Sequence, residues 1–198
     1  SKAYRGIRDE DYGEWGDFND AAELRQHRLL QTTAATMREN FDPAALPPQD
    51  GLSYRLFDAL ADRRAALFPF RDYGYIFDQM NGAQSDLPAF LINIHSVSDV
   101  EQARDYISRI KGLGPVLDTL VAESRERAAK GVMPPDWVYP YVISDIENLL
   151  GAGADNAVLE DFENKVAALD LPAAESADLV AQAHRAWDGS ARPAYQRL

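Results

Sequence analysis

The stretch Ser98–Gly131, SDVEQARDYISRIKGLGPVLDTLVAESRERAAKG, decides what kind of fold this chain can form. Ser98-Asp99-Val100-Glu101 reads as a capping box, in which the Ser hydroxyl and the Glu carboxylate each satisfy an amide left unpaired at a helix start. Val100, Ala103, Ile107 and Ile110 follow at steps of three or four, the spacing of one helical face. Gly112 and Gly114 interrupt the pattern, and Pro115 suits the first turn of a new helix carrying Leu117, Leu120, Val121, Ser124 and Ala128. Gly131 is the expected left-handed stop, reinforced by Pro134 and Pro135. So short a joint gives either an antiparallel hairpin or one kinked rod. The glycine pair favours the hairpin.

The same period extends outward in both directions. Asn19 or Asp20 can cap a helix whose stripe is Leu24, His27, Leu30, Ala34, Met37 and Phe41, ended by Pro43, Pro47 and Pro48. A second helix aligns Leu52, Leu56, Leu60, Arg63 and Leu67 and stops near Pro69. Asp86 as a cap and Pro88 in a first turn favour a short helix over Leu87–Ile94, with a buried strand the competing reading for so apolar a run. Downstream, Trp137, Val138, Tyr141, Val142, Ile146 and Leu149 form one apolar face, and Leu159, Phe162, Val166 and Leu169 another. A run with Ala177, Val180, Ala183 and Trp187 follows, and Pro193 opens a last helix. Strand-like alternation is almost absent, so the class is all-α. The expectation is one domain over residues 1–198, an array of about seven helices with irregular structure near residues 68–86. Residues 1–18 read as an extended acidic arm and 151–155 as a flexible loop. Two aromatic clusters, Phe68 to Phe77 and Trp137 to Tyr141, read as core.

Composition narrows the function classes. With 198 residues, 46% of them hydrophobic, the chain can bury a sizeable core. A formal charge of −12 without a basic run argues against nucleic acid, whose phosphates need Lys and Arg. It also argues against an anionic membrane surface. No apolar run reaches the length of a membrane span. Cysteine is absent, which excludes disulfides, thiol nucleophiles and thiolate metal sites. Asp9 to Glu23 holds seven carboxylates and no Lys or Arg, but its glycine and acidic spacing fails the calcium-loop pattern. A solvated acidic face is the better reading.

Motifs of catalysis are missing. His27, His95 and His184 are scattered, without the one-turn spacing of a helical zinc site. His27 reads as a hydrogen-bonded core histidine, His95 as a helix-end cap and His184 as exposed. Asp105 and Arg109, one turn apart, read as a surface pair. Asp145/Glu147 and Asp161/Glu163 are two apart and face different sides of a helix, so neither pair shares a proton. The segment Tyr73–Ile94 lacks the helical period of almost everything around it, and it gathers Gln79, Asn81, Gln84 and Ser85 beside two aromatic runs. Amides and hydroxyls in such a turn suit the wall of a cleft, where they fix the orientation of something bound.

Three blocks carry a family resemblance: Gln79 to Leu91, then Asp99-Val100-Glu101 leading through Ala103 to Arg109, then Gly131 to Val138. In order and spacing they resemble the N-terminal third of the bacterial "domain of unknown function 885" proteins, over about Arg5 to Leu198. The resemblance implies the N-terminal portion of a long, mainly helical protein, periplasmic, secreted or lipid-anchored, with zinc metallopeptidase-like hydrolase activity. It places the H-E-x-x-H-type motif in the C-terminal half, so no catalytic or metal residue falls on this chain, and zinc belongs to the full-length protein. Carried over is a supporting role in which Gln79, Asn81, Gln84 and Ser85 line or brace a substrate cleft. The implied partners are the C-terminal remainder of the same protein and a peptide substrate. The alternative is a non-enzymatic binding or scaffold domain of the cell envelope.

Overall fold

The computed structural model describes residues 2–151 and 156–198, and the regular elements among them are all helical. They are α1 (Asp20–Asn40), α2 (Pro48–Leu67), α3 (Ala83–Asn93), α4 (Val100–Ala129), α5 (Tyr139–Gly151), α6 (Ala157–Ala167), α7 (Ala173–Ala186) and α8 (Arg192–Arg197). Seven of these run 11 residues or longer and α8 has 6, so the all-α, seven-helix reading holds. Residues 68–82 supply the expected irregularity, as a 3-10 helix at Phe68–Tyr73 followed by turns. Gly151 closes α5, and the rest of the expected 151–155 loop lies outside the described residues. The chain forms two compact units, Phe18–Gly74 and a larger one made of Tyr75–Leu198 with the arm up to Asp17.

The decisive stretch is a rod, not a hairpin. Helix α4 continues for 30 residues through Gly112, Gly114 and Pro115. The glycines are there for close approach. A Cβ at Gly112 would lie 2.7 Å from Trp15 Cδ1, and one at Gly114 would strike the Ser190 hydroxyl. Proline has no N–H, so inside a helix it orphans the carbonyl four residues back. For Pro115 that carbonyl belongs to Lys111, and it accepts a hydrogen bond from Ser190 Oγ at 2.6 Å.

Helix α3 repeats the device. It begins at Ala83, four residues earlier than the sequence implied, so Pro88 lies inside it. The carbonyl left without its amide is that of Gln84, and Tyr195 Oη donates to it at 3.1 Å. Both donors come from the last dozen residues, where α7 passes through a π-helical turn, Trp187–Ala191, into α8. The C-terminal segment thus closes two backbone gaps in two other helices.

The start of α4 is shifted by one residue from the expected box. Asp99 is the cap, accepting from Gln102 N at 2.8 Å, while Gln102 Oε1 accepts from Ser98 N at 3.0 Å. Its end is as expected: Gly131 has φ +82°, Gly131 N donates to Ala128 O, and Val132 N donates to Arg127 O. That is the Schellman pairing.

A broad face of α4 (Ala103, Tyr106, Ile110, Leu113, Leu117, Leu120) forms the centre of the larger unit's core. It is joined there by Leu91, Val158, Phe162, Val166, Leu179, Trp187 and Tyr195. Burying side chains of this size contributes about 1.5–3 kcal/mol each. Lys165 on α6 donates to Leu91 O and Ile92 O at 3.0 and 2.9 Å, placing a cation at the carbonyl end of α3. Its ammonium also pairs with Asp161 at 2.7 Å.

In the smaller unit, α1 and α2 pair through small residues, Ala34 and Ala61, both fully buried. Gln31 Nε2 donates to Ala61 O, and Arg38 bridges Asp58 and Asp62. The stripe Leu52, Leu56, Leu60 and Leu67 is not the buried face of α2, since these leucines are 41–63% exposed. The buried residues lie on the opposite side: Ala61, whose carbonyl takes the Gln31 amide of α1, and Gly51, which faces the loop at Pro43 and Leu46. His27 is no hydrogen-bonded core histidine either; it stacks on the Phe68 ring at 3.9 Å. Most of the two aromatic clusters is likewise outside the core, with Phe70, Tyr73, Trp137 and Tyr141 each more than half exposed.

Candidate functional site

The amide-rich turn is built on Asp78. Its carboxylate accepts from the backbone N–H groups of Met80 and Asn81 at 2.6 and 2.7 Å, an Asx-type turn that bends the chain into α3. Gln84 Nε2 then donates to Asp78 O at 2.6 Å and to Asp145 Oδ2 at 3.2 Å. Ser85 Oγ donates to the same Asp145 oxygen at 3.0 Å. Tyr195 donates to Gln84 O, and burial pushes its phenol well above the ordinary range, so the hydroxyl remains a donor. Three elements, α3, α5 and α8, therefore meet at one polar clamp.

The four residues that the sequence singled out separate into two pairs. Gln84 and Ser85 come together on Asp145, with Gln84 almost fully buried. Asn81 is exposed and Gln79 half-buried, both on the turn itself. The structure adds Asp78 and Asp145, which sequence reasoning missed. Asp78 carried a usable signal, an Asp three residues before the Asn of an Asn-Gly bend; Asp145 carried none, because its partners lie 60 and 61 positions away.

Beside the clamp lies an apolar groove of about 570 Å³. Its walls are the second half of α4 (Val121, Ala128), α5 (Val142, Ile143, Ile146), and Phe77 with Tyr195 and Leu198. Tyr195 belongs to both features, its ring in the groove wall and its hydroxyl in the clamp. A second polar cluster holds the N-terminal arm. Arg109 is buried, not the surface partner of Asp105, and its guanidinium lies 4.6 Å from the Phe90 ring and 5.4 Å from those of Tyr12 and Trp15. Desolvation lowers its pKa, and it raises that of Asp105. Trp15 Nε1 donates to Arg109 O at 2.7 Å. His95 is fully buried against the rings of Tyr12 and Tyr106, with Nε2 3.2 Å from Gln102 O. Burial lowers its pKa to about 3.

Among the described residues, no three His, Asp or Glu side chains gather as metal ligands. His95 is committed to a backbone carbonyl, His184 pairs with Glu163 at 2.9 Å, and His27 stacks on Phe68. These residues do not fit a zinc ion, and no chemical step is assigned to one here. Among the described residues, no helix is long and apolar enough to cross a membrane.

A search of curated protein sequences gave no match. Among solved structures, the chain is similar in fold to the crystal structure of "the putative lipoprotein from Colwellia psychrerythraea", with a TM-score of 0.86 at 16% identity. The likeness covers 99% of this chain and 36% of that one, so the chain spans about a third of its structural relative's length. The family model described as "Bacterial protein of unknown function (DUF885)" matches residues 1–198, the blocks around Gln79–Leu91 and Gly131–Val138 included. The chain belongs to that family.

Proposed function

We propose that this chain is the N-terminal helical portion of an exported zinc metallopeptidase-like hydrolase, in which it supplies a rigid wall of the substrate cleft. The catalytic zinc and its ligands lie in the remainder of the protein, and the substrate is a peptide. The observation that carries this reading is the turn at residues 78–85, held from beneath by Gln84 and Ser85 on Asp145 and by Tyr195 on Gln84 O. So held, the turn keeps Asn81 exposed and Gln79 half-buried without support from a ligand, the preorganisation that substrate positioning requires. Gln84 and Ser85 are then braces and not ligands, since their donors are taken by the protein. An envelope location is supported by the likeness to a chain described as a lipoprotein.

The test uses the full-length protein. Bound zinc and peptide cleavage are measured for the natural sequence and for Asn81→Ala and Gln79→Ala. The expected result is stoichiometric zinc, and variants with kcat/KM lowered about tenfold at unchanged melting temperature, the signature of a lost positioning contact. Full-length protein that holds no zinc and cleaves no peptide would leave the scaffold reading in its place.

A further inference from the structure

The groove beside the clamp has an interior that the cleft reading does not use. Its volume of about 570 Å³ falls within the roughly 300–1,000 Å³ of small-molecule sites. The most deeply set walls are Val142, Ile146 and Tyr195, none more than 9% exposed. The Tyr195 hydroxyl is spent on Gln84 O, so this residue offers the groove only its ring. An extended peptide laid along these walls would bury its amides unpaired, which is strongly unfavourable. A hydrocarbon chain has no polar group to leave unpaired. The polar side chains stand at the lips instead. On the α4 side are Ser124, half-buried, and the exposed guanidinium of Arg125, which forms no ion pair among the described residues. On the α5 side stands the exposed carboxylate of Glu147.

We propose that this groove binds a long-chain monocarboxylate, a free fatty acid, with its hydrocarbon tail along Val142, Ile146 and the Tyr195 ring and its carboxylate on Ser124 and Arg125. The walls select the tail, because they exclude ligands that carry hydrogen-bonding groups along their length. The α4 lip selects the head. A hydroxyl and a guanidinium at neighbouring positions are donors suited to a carboxylate, and the guanidinium has no protein carboxylate to give up first. Glu147, on the other lip, repels an anionic head and so fixes the direction in which the ligand lies. Neither zinc nor peptide cleavage enters this assignment.

Isothermal titration calorimetry on the full-length protein tests it, with octanoate, decanoate and dodecanoate as probes below their micelle concentrations. One molecule should bind per chain, with affinity rising about fourfold for each added methylene that the walls cover. Arg125→Gln, at an exposed position, should weaken dodecanoate about fivefold at an unchanged melting temperature. Dodecyltrimethylammonium, with the same tail and the opposite charge, should bind the natural protein more weakly than dodecanoate and lose nothing in that variant. Ile143→Asp, at a groove-lining position 51% exposed, should weaken dodecanoate about tenfold. Affinity independent of chain length, several molecules per chain, or equal binding of the two head groups would each overturn the proposal. So would no binding at all, the result expected if a second copy or another part of the protein fills the groove. Protein that holds no zinc and cleaves no peptide would bind the fatty acid all the same, so the two readings fail separately.

Discussion

At the scale of single residues, burial decides behaviour that residue type alone does not. His95 illustrates it: the ring sits between Tyr12 and Tyr106, and desolvation, with smaller contributions from Arg109, Lys165 and Arg8, holds its pKa near 3. In the unfolded chain a histidine titrates near 6.5. Between these values the unfolded state binds the extra proton, so His95's contribution is complete above about pH 6.5 and is lost as the pH falls toward 3. The limiting slope is about 1.4 kcal/mol per pH unit. Urea unfolding at pH 7.5 and 5.5 should therefore show about 1.4 kcal/mol less stability at the lower pH. His95→Asn should flatten that difference whatever its own cost; an undiminished slope in the variant would count against the assignment. The sequence listed His95 as a helix-end cap because nothing local announces that an aromatic arm 80 residues upstream will cover it. Arg109 was misread for the same reason: at one turn from Asp105 it looks like a surface pair, and only tertiary packing sets it under Phe90, Tyr12 and Trp15. Periodicity marks which residues share a face, and it does not say what meets that face.

At the scale of elements, two prolines that read in the sequence as first-turn residues of new helices lie inside longer ones. Pro88 and Pro115 each remove one backbone donor, and in each case a hydroxyl from the C-terminal segment takes the freed carbonyl: Tyr195 for Gln84 and Ser190 for Lys111. The helix starts and stops read well at Asn19 and Gly131, because capping is local chemistry. The continuity of α4 did not, because it depends on Ser190, 75 positions beyond the proline it compensates. A double-mutant cycle tests the pairing. Tyr195→Phe should cost about 1–3 kcal/mol, the penalty of a buried carbonyl left without a donor. In a Pro88→Ala background the restored amide can take Gln84 O, and the same substitution should cost markedly less. Equal costs in both backgrounds would show that the hydroxyl does not serve the carbonyl. Gly114→Ala gives a second check. Helix propensity alone makes it stabilising by about 1 kcal/mol, whereas collision with the Ser190 hydroxyl makes it destabilising. The sign of the change in melting temperature decides.

At the scale of the whole molecule, the fold class was readable from 3.6-residue periodicity, but which apolar stripes are buried was not, because α2 has two of them. Ala61 lies on the side that meets α1 and Gly51 is buried against the loop at Pro43 and Leu46, while Leu52, Leu56, Leu60 and Leu67 mark the other side. Periodicity aligns the leucines, and it does not say that the smaller residues are the ones that turn inward. The consequence is measurable in the 198-residue chain. Replacing Leu56 and Leu67 together by glutamine should leave its unfolding free energy within about 0.5 kcal/mol, as for surface positions generally. Leu117→Ala, at a fully buried site on α4, should cost about 2–5 kcal/mol. The glutamine pair should also lower self-association in sedimentation experiments, because it removes apolar area that water now touches. A loss of several kcal/mol from the double substitution would mean that the leucine stripe is packed inside, and that the hairpin's outward face has been assigned to the wrong side of α2.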